Sequence, residues 1–266
     1  MTQRQQIDWL IVDHYGLGLD WQKSVRGHVE KIMVIDDGAR EQQECDLILN
    51  QNFMHNLGTR YDHLVSSDCE KLLGPTYALL RPEFRNARER LQPHRGRIER
   101  IFIFFGICED THEILNALEG IRLLHRVHMK VDVVIEKNDP HQEEIKKFCS
   151  ALPHCQFHCQ INNMAELMAL ADLAIGAGGS TTWERCCLGL PALVVALADH
   201  QRELTQAVAL QGAIIDLGES KNLTPQVYSH LMNQLTPAQL MKMSEQGMAL
   251  VDGDGCRRVS EKLDEK

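Results

Sequence analysis

The chain has 266 residues, 44% of them hydrophobic, enough to bury a sizeable core as one large domain or two smaller ones. A formal net charge of −9 argues against wrapping nucleic acid, which needs a basic face, but leaves room for a small anion held by backbone N–H groups. No run is long and apolar enough to span a bilayer, residues 1–16 lack the series of a secretory signal, and nine cysteines, an odd number, suit a reducing cytoplasm.

Strand-length apolar runs alternate with helical stretches along the chain. Residues 7–12 and 31–35 read as strands around an amphipathic stretch at 20–29, and 46–49 as a third, short strand. An irregular region with Gly58, Gly74 and Pro75 follows, then a charged helix over 81–91. Residues 92–96, with Pro93 and Gly96, read as the linker between two lobes, 1–93 and 94–266. Strands at 100–105, 131–136, 155–159, 170–175, 192–197 and 213–217 then alternate with helices at 111–125, 140–152, 164–170 and 201–210. The tail is helical from 225 and broken near 253–255. Such alternation predicts an α/β protein with parallel sheets of Rossmann type. The first lobe holds fewer strand–helix units than the about six strands that a nucleotide-binding lobe normally has, and reads as incomplete at its N-terminus.

The segment GAGGSTTWERCCLGLP at 176–191 lies between two of these strands and predicts strand, glycine turn, helix, strand. Ligands of open parallel sheets lie beyond the carboxyl ends of strands, at such turns. Gly178 and Gly179 allow close backbone approach, while Ser180 and Thr181 bring hydroxyls and N–H groups to a helix start that suits phosphate. Glu184, one turn in, has two readings: acceptor for a ribose diol, or partner of Thr181 in a capping box.

The whole stretch ADLAIGAGGSTTWERCCLGLPALVVALADHQ is similar to one in the UDP-2,4-diacetamido-2,4,6-trideoxy-β-L-altropyranose hydrolases of pseudaminic acid biosynthesis. WLIVDHYGL at 9–17, IMVIDD at 32–37, CDLILNQN at 45–52, GPTYALLRPEF at 74–84 and DGDGCRRV at 252–259 extend the resemblance from about residue 8 to about residue 260. It implies two Rossmann-like lobes of glycosyltransferase-B type, as in the lipid-II-forming GlcNAc transferase. It also implies a cytoplasmic monomer that acts on a UDP-sugar, with no cofactor, metal, nucleic acid or membrane insertion. By the same resemblance Gly178, Gly179, Ser180, Thr181 and Thr182 hold the diphosphate, Glu184 the ribose and the backbone near Ile161 the uracil. Gln201 and Tyr15 face the sugar. The reaction implied is cleavage of the anomeric C–O bond with inversion, a histidine activating water and UDP leaving. The sugar released is destined for the pseudaminic acid that decorates flagellins and surface polysaccharides.

Two departures stand against the family pattern. The base histidine belongs to a G-x-G-H loop after the family's first strand, and neither strand nor loop occurs here; the resemblance therefore implies a truncated chain with impaired activity, from a mis-called start or a decaying gene. In FFGICED at 104–110, Ile107 and Cys108 replace smaller residues and would crowd a ligand. His14, at a strand's carboxyl end, is the candidate substitute base, against the reading of a packing or surface histidine. Three functions compete: the hydrolase, a UDP-sugar glycosyltransferase of the same fold, and a non-catalytic UDP-binding remnant. Residues 1–90 show no apolar patch of the kind a membrane-facing transferase carries.

Other constellations have plainer readings. His154, Cys155, His158 and Cys159 invite zinc, but on a strand the cysteines and histidines point to opposite faces. Cys186-Cys187 reads as helix packing, and Asp36-Asp37-Gly38 as a turn that also places an acid pair at a strand end.

Overall fold

The computed structural model describes residues 7–106 and 112–265. The chain packs as two α/β units, Met1–Leu79 with Asp254–Lys266, and Leu80–Gly253. In the first unit β1 (Ile7–Val12), β2 (Val29–Ile35), β3 (Leu47–Asn50) and β4 (Glu70–Leu73) form a parallel sheet in the order β1-β2-β3-β4, with α1 (Leu19–Val25) between β1 and β2. β3, LILN, is buried at all four positions, as expected of an inner parallel strand covered on both faces.

The second unit starts with α2 (Pro82–Arg88) and builds a six-stranded sheet. Its chain order is β5 (Arg100–Phe104), α3 (His112–Leu123), β6 (Lys130–Ile135), α4 (Gln142–Ala151), β7 (Cys155–Cys159), α5 (Met164–Leu170), β8 (Leu173–Ala177), α6 (Thr181–Cys187), β9 (Ala192–Ala196), α7 (Asp199–Leu210), β10 (Ile214–Glu219), α8 (Pro225–Gln234) and α9 (Pro237–Leu250). The strands are all parallel and ordered β10-β9-β8-β5-β6-β7, the doubly wound arrangement in which strand order reverses between β5 and β8. β8 and β9 are buried along their whole length. On one face Ile101, Ile103, Val131 and Val133 pack with Ile114, Leu118, Ile145 and Tyr228.

α10 (Gly255–Asp264) closes the chain and belongs to the first unit. Its Val259 packs with Met33, Leu47, Leu49 and Leu72, and the Trp9 indole donates to the Leu263 carbonyl at 2.9 Å. A side chain at Gly255 would overlap the Ala78 carbonyl oxygen, so only glycine lets this helix begin where it does. The break expected at 253–255 is therefore the point where the chain returns to the first unit.

Two expectations change. The division falls at 79/80 rather than 93/94, because 92–96 is packed rather than free. His94 hydrogen-bonds the Asp172 carbonyl at 2.8 Å, and Gly96, at φ +68°, leaves no room for a Cβ, which would lie 2.7 Å from the Pro237 Cβ. The irregular region around Gly74 contains β4, whose sequence EKLL is too short and polar to show a period, and which pairs with β3 and buries Leu72 against Leu47 and Leu49.

Candidate functional site

At the end of β8 the chain passes from sheet to α6 within residues 178–180. A Cβ on Gly178 would stand 2.6 Å from Thr205 Oγ1 and 3.3 Å from Gln201 Cβ, and Gly179 takes φ +113°, which L side chains avoid. The Gly178 N–H is used on the Val195 carbonyl (3.1 Å) and the Thr182 N–H on the Gly179 carbonyl (2.9 Å). Between them the N–H groups of Gly179, Ser180 and Thr181 hydrogen-bond no described residue. They stand at the start of α6, where helix N–H groups lack an intrahelical partner; Ser180 is exposed and Gly179 and Thr181 half-buried. Three in succession, beyond the carboxyl end of β8 and beside the reversal point with β5, form a row of donors for an external acceptor. α6 has only seven residues, so the backbone's partial positive charge here comes from these N–H groups rather than from a long helix dipole.

Thr182 does not face that row. It is buried, and its Oγ1 accepts from the Arg185 guanidinium at 3.1 Å, so of the expected stretch 178–182 only residues 179–181 keep open N–H groups. Gln201 does reach the turn. Its Oε1 accepts from the Leu197 N–H at 2.9 Å, and its Nε2 lies 4.0 Å from where a Gly179 Cβ would stand. Ile161 follows β7, half-buried, three strand spacings or about 14 Å across the sheet from β8.

The capping reading of Glu184 fails on register. α6 begins at Thr181 with Ser180 as its cap and no capping bond from a side chain, which makes Glu184 the fourth helical residue rather than the third. Its side chain is 19% exposed, with Arg81 Nη2 at 3.7 Å; Arg81 also pairs with Glu83 at 2.9 Å. Burial raises the Glu184 pKa against the opposing pull of Arg81 and Arg185. Neither Arg81 nor Arg185 stands out in the sequence, since only tertiary packing brings one and buries the other.

In the first unit the turn after β1 holds His14 and Tyr15, both exposed. His14 Nδ1 accepts the Gly16 N–H at 2.9 Å, which ties the ring into the turn. Tyr15 is 85% exposed and donates to Asp37 at 3.3 Å; Asn52 donates to the same carboxylate at 2.9 Å. Partial desolvation first, and then the Asp37 carboxylate, raise the Tyr15 pKa. Asp36 forms the expected turn, accepting from the Gly38 and Ala39 N–H groups, and also takes the buried Tyr61 hydroxyl at 2.6 Å. Ile107 and Cys108 lie outside the described residues.

The four residues that invited zinc go separate ways. His158 bonds Asp132 at 2.9 Å on one face of β7, while Cys155 and Cys159 pack against the core on the other. Cys186 and Cys187 are buried in α6.

Two parallel α/β units, the second doubly wound with an open donor row at its switch point, define a protein of the glycosyltransferase-B fold. MurG of Acinetobacter baumannii has this fold, with a TM-score of 0.66 over 97% of this chain and 74% of its own, at 16% identity. Residues 110–253 match the family described as "Glycosyltransferase family 28 C-terminal domain", and the chain belongs to that family. It is 27% identical to the spore coat polysaccharide biosynthesis protein SpsG of Bacillus subtilis, over 96% of this chain and 76% of that protein. It is 25% identical to the UDP-2,4-diacetamido-2,4,6-trideoxy-β-L-altropyranose hydrolase of Campylobacter jejuni, over 80% of this chain and 74% of that protein.

Proposed function

We propose that the second unit binds the UDP moiety of a nucleotide sugar and that the protein acts as a nucleotide-sugar hydrolase on a UDP-linked diacetamido-trideoxy sugar. The observation that carries the reading is the row of unused N–H groups on Gly179, Ser180 and Thr181. It suits the diphosphate, with Glu184 accepting from the ribose, the backbone at Ile161 reading the uracil and the Gln201 amide facing the sugar. In the reaction, water attacks the anomeric carbon, the bond from that carbon to the β-phosphate oxygen breaks, and UDP leaves with the electron pair. The turn's donors stabilise the charge that grows on the departing phosphate, the part of the barrier on which preorganised N–H groups act best. The 266 residues contain no G-x-G-H, so these residues are assigned to the leaving-group side of the chemistry. Support for hydrolysis comes from the Campylobacter jejuni relative, and support for a UDP-sugar transferase from the family's name.

One experiment separates these readings. The protein is titrated with UDP by calorimetry, then incubated with the UDP-diacetamido-trideoxy sugar and no acceptor while UDP and free sugar are quantified. Release of both supports the hydrolase. UDP binding with release only on adding an acceptor supports the transferase, and binding without turnover the non-catalytic reading. No binding of UDP removes all three.

A further inference from the structure

We propose that Arg185 is a positioning residue for the diphosphate: a buried guanidinium, in ion-pair contact with no described carboxylate, that braces the turn through the Ala177 carbonyl and adds positive charge beneath a bound anion. This rests on the nucleotide reading above. Arg185 is 1% exposed. Its Nη2 donates to the Ala177 carbonyl at 2.8 Å and to Thr182 Oγ1 at 3.1 Å, and its Nη1 lies 2.9 Å from where a Cβ of Gly176 would stand. Ala177 is the residue that enters the turn, so the bond sets where the Gly179, Ser180 and Thr181 N–H groups point. Nε has no partner among the described residues.

A neutral amide would satisfy one carbonyl and one hydroxyl as well. Burying a cation instead is costly unless an opposite charge meets it; among the described residues no carboxylate forms an ion pair with Arg185, and only the charge of Glu184 acts on it from its own helix. Glu184, on the same helix, is turned to Arg81 at 3.7 Å, and burial raises the pKa of the neighbouring Cys186, which keeps its thiol protonated. On α2, Arg81 pairs with Glu83 and Arg85 with Glu89, while Arg88 donates to the carbonyls of Cys187, Met248 and Val251. β8 and β9 carry no ionisable residue, and β5 only Arg100, which pairs with Asp132. On α9, Lys242 and Glu245 are exposed. Burial draws the Arg185 pKa down to about 10, so the group still carries its charge near neutrality. In a chain of net charge −9, a buried cation without an ion-pair partner, bonded to the Ala177 carbonyl two residues before Gly179, is placed for an anion from outside.

Wild-type protein, Arg185→Gln and Arg185→Lys are titrated with UDP and with uridine. Arg185→Gln should hold uridine as wild type does and lose at least about tenfold of the preference for UDP, since charge-assisted contacts are the strong ones. A buried lysine titrates far lower than arginine. The UDP preference of Arg185→Lys should therefore fall between roughly pH 7 and about pH 9 while that of wild type stays level. If the Gln variant does not fold, this pH profile decides. If neither variant folds, Thr182→Val, which removes one bond to the guanidinium, should weaken UDP several-fold and leave uridine unchanged. Equal loss of both ligands, or a UDP preference unchanged in every variant that folds, overturns the role of Arg185. Failure of wild type to bind UDP overturns the nucleotide reading instead.

Discussion

Replacing Glu184 by alanine separates a ligand contact from a structural one. The carboxylate makes no capping bond, is 19% exposed and has Arg81 at 3.7 Å, a partner itself 52% exposed. An ion pair of that exposure is worth about 0–1 kcal/mol, and removing a desolvated carboxylate offsets part of the loss. Stability should therefore change by less than about 1 kcal/mol. A hydrogen bond from a ribose hydroxyl to a charged acceptor is worth about 1.5–3 kcal/mol, so UDP affinity should fall by about 10- to 150-fold. Calorimetric titration with UDP and with 2′-deoxy-UDP makes the test specific: wild type should prefer UDP, and Glu184→Ala should bind the two alike. A variant that kept the full preference for UDP, or lost about 2 kcal/mol of stability with unaltered binding, would refute the ribose assignment.

Glu184→Gln tests the same group through pH. Because burial raises the pKa of the folded carboxyl, the folded state keeps its proton where the unfolded chain has released it. Wild-type stability should fall relative to the variant as pH climbs through and above the ordinary carboxylate range, and the two should converge below it; urea denaturation across pH reads this. Gly176→Ala drives a Cβ into the Phe104 carbonyl and to 2.9 Å from the Arg185 guanidinium, and should lower stability by at least about 1–3 kcal/mol, seen as a lower urea midpoint. Asp132→Ala leaves Arg100 and His158 without the carboxylate that they meet at 2.6 and 2.9 Å; it should cost about 3 kcal/mol in thermal unfolding and leave UDP affinity unchanged while the protein is folded.

The second sheet was readable because its inner strands are unbroken apolar runs, LAIGA and ALVVA among them, separated by helix-length segments. The turn 176–180 was readable for a different reason, since consecutive glycines before a helix have few other uses. β4 was hidden because four residues with two charges carry no period, and the return of α10 because a long-range contact such as Trp9 to Leu263 leaves no local trace. Glu184 was ambiguous by a single residue of helix register, a difference that a capping motif read from sequence cannot resolve. Arg185 looked like any arginine on a helix. Only its depth, the missing side chain at Gly176 and the lack of an ion pair with any described carboxylate distinguish it, and all three are properties of packing.

The most direct test is a titration of ¹⁵N-labelled protein with UDP, followed through its amide resonances. Those of Gly179, Ser180 and Thr181 should move together and saturate with UDP, and move little with uridine. Saturable UDP binding that left these three still while shifting amides elsewhere would contradict the assignment of the diphosphate to this turn.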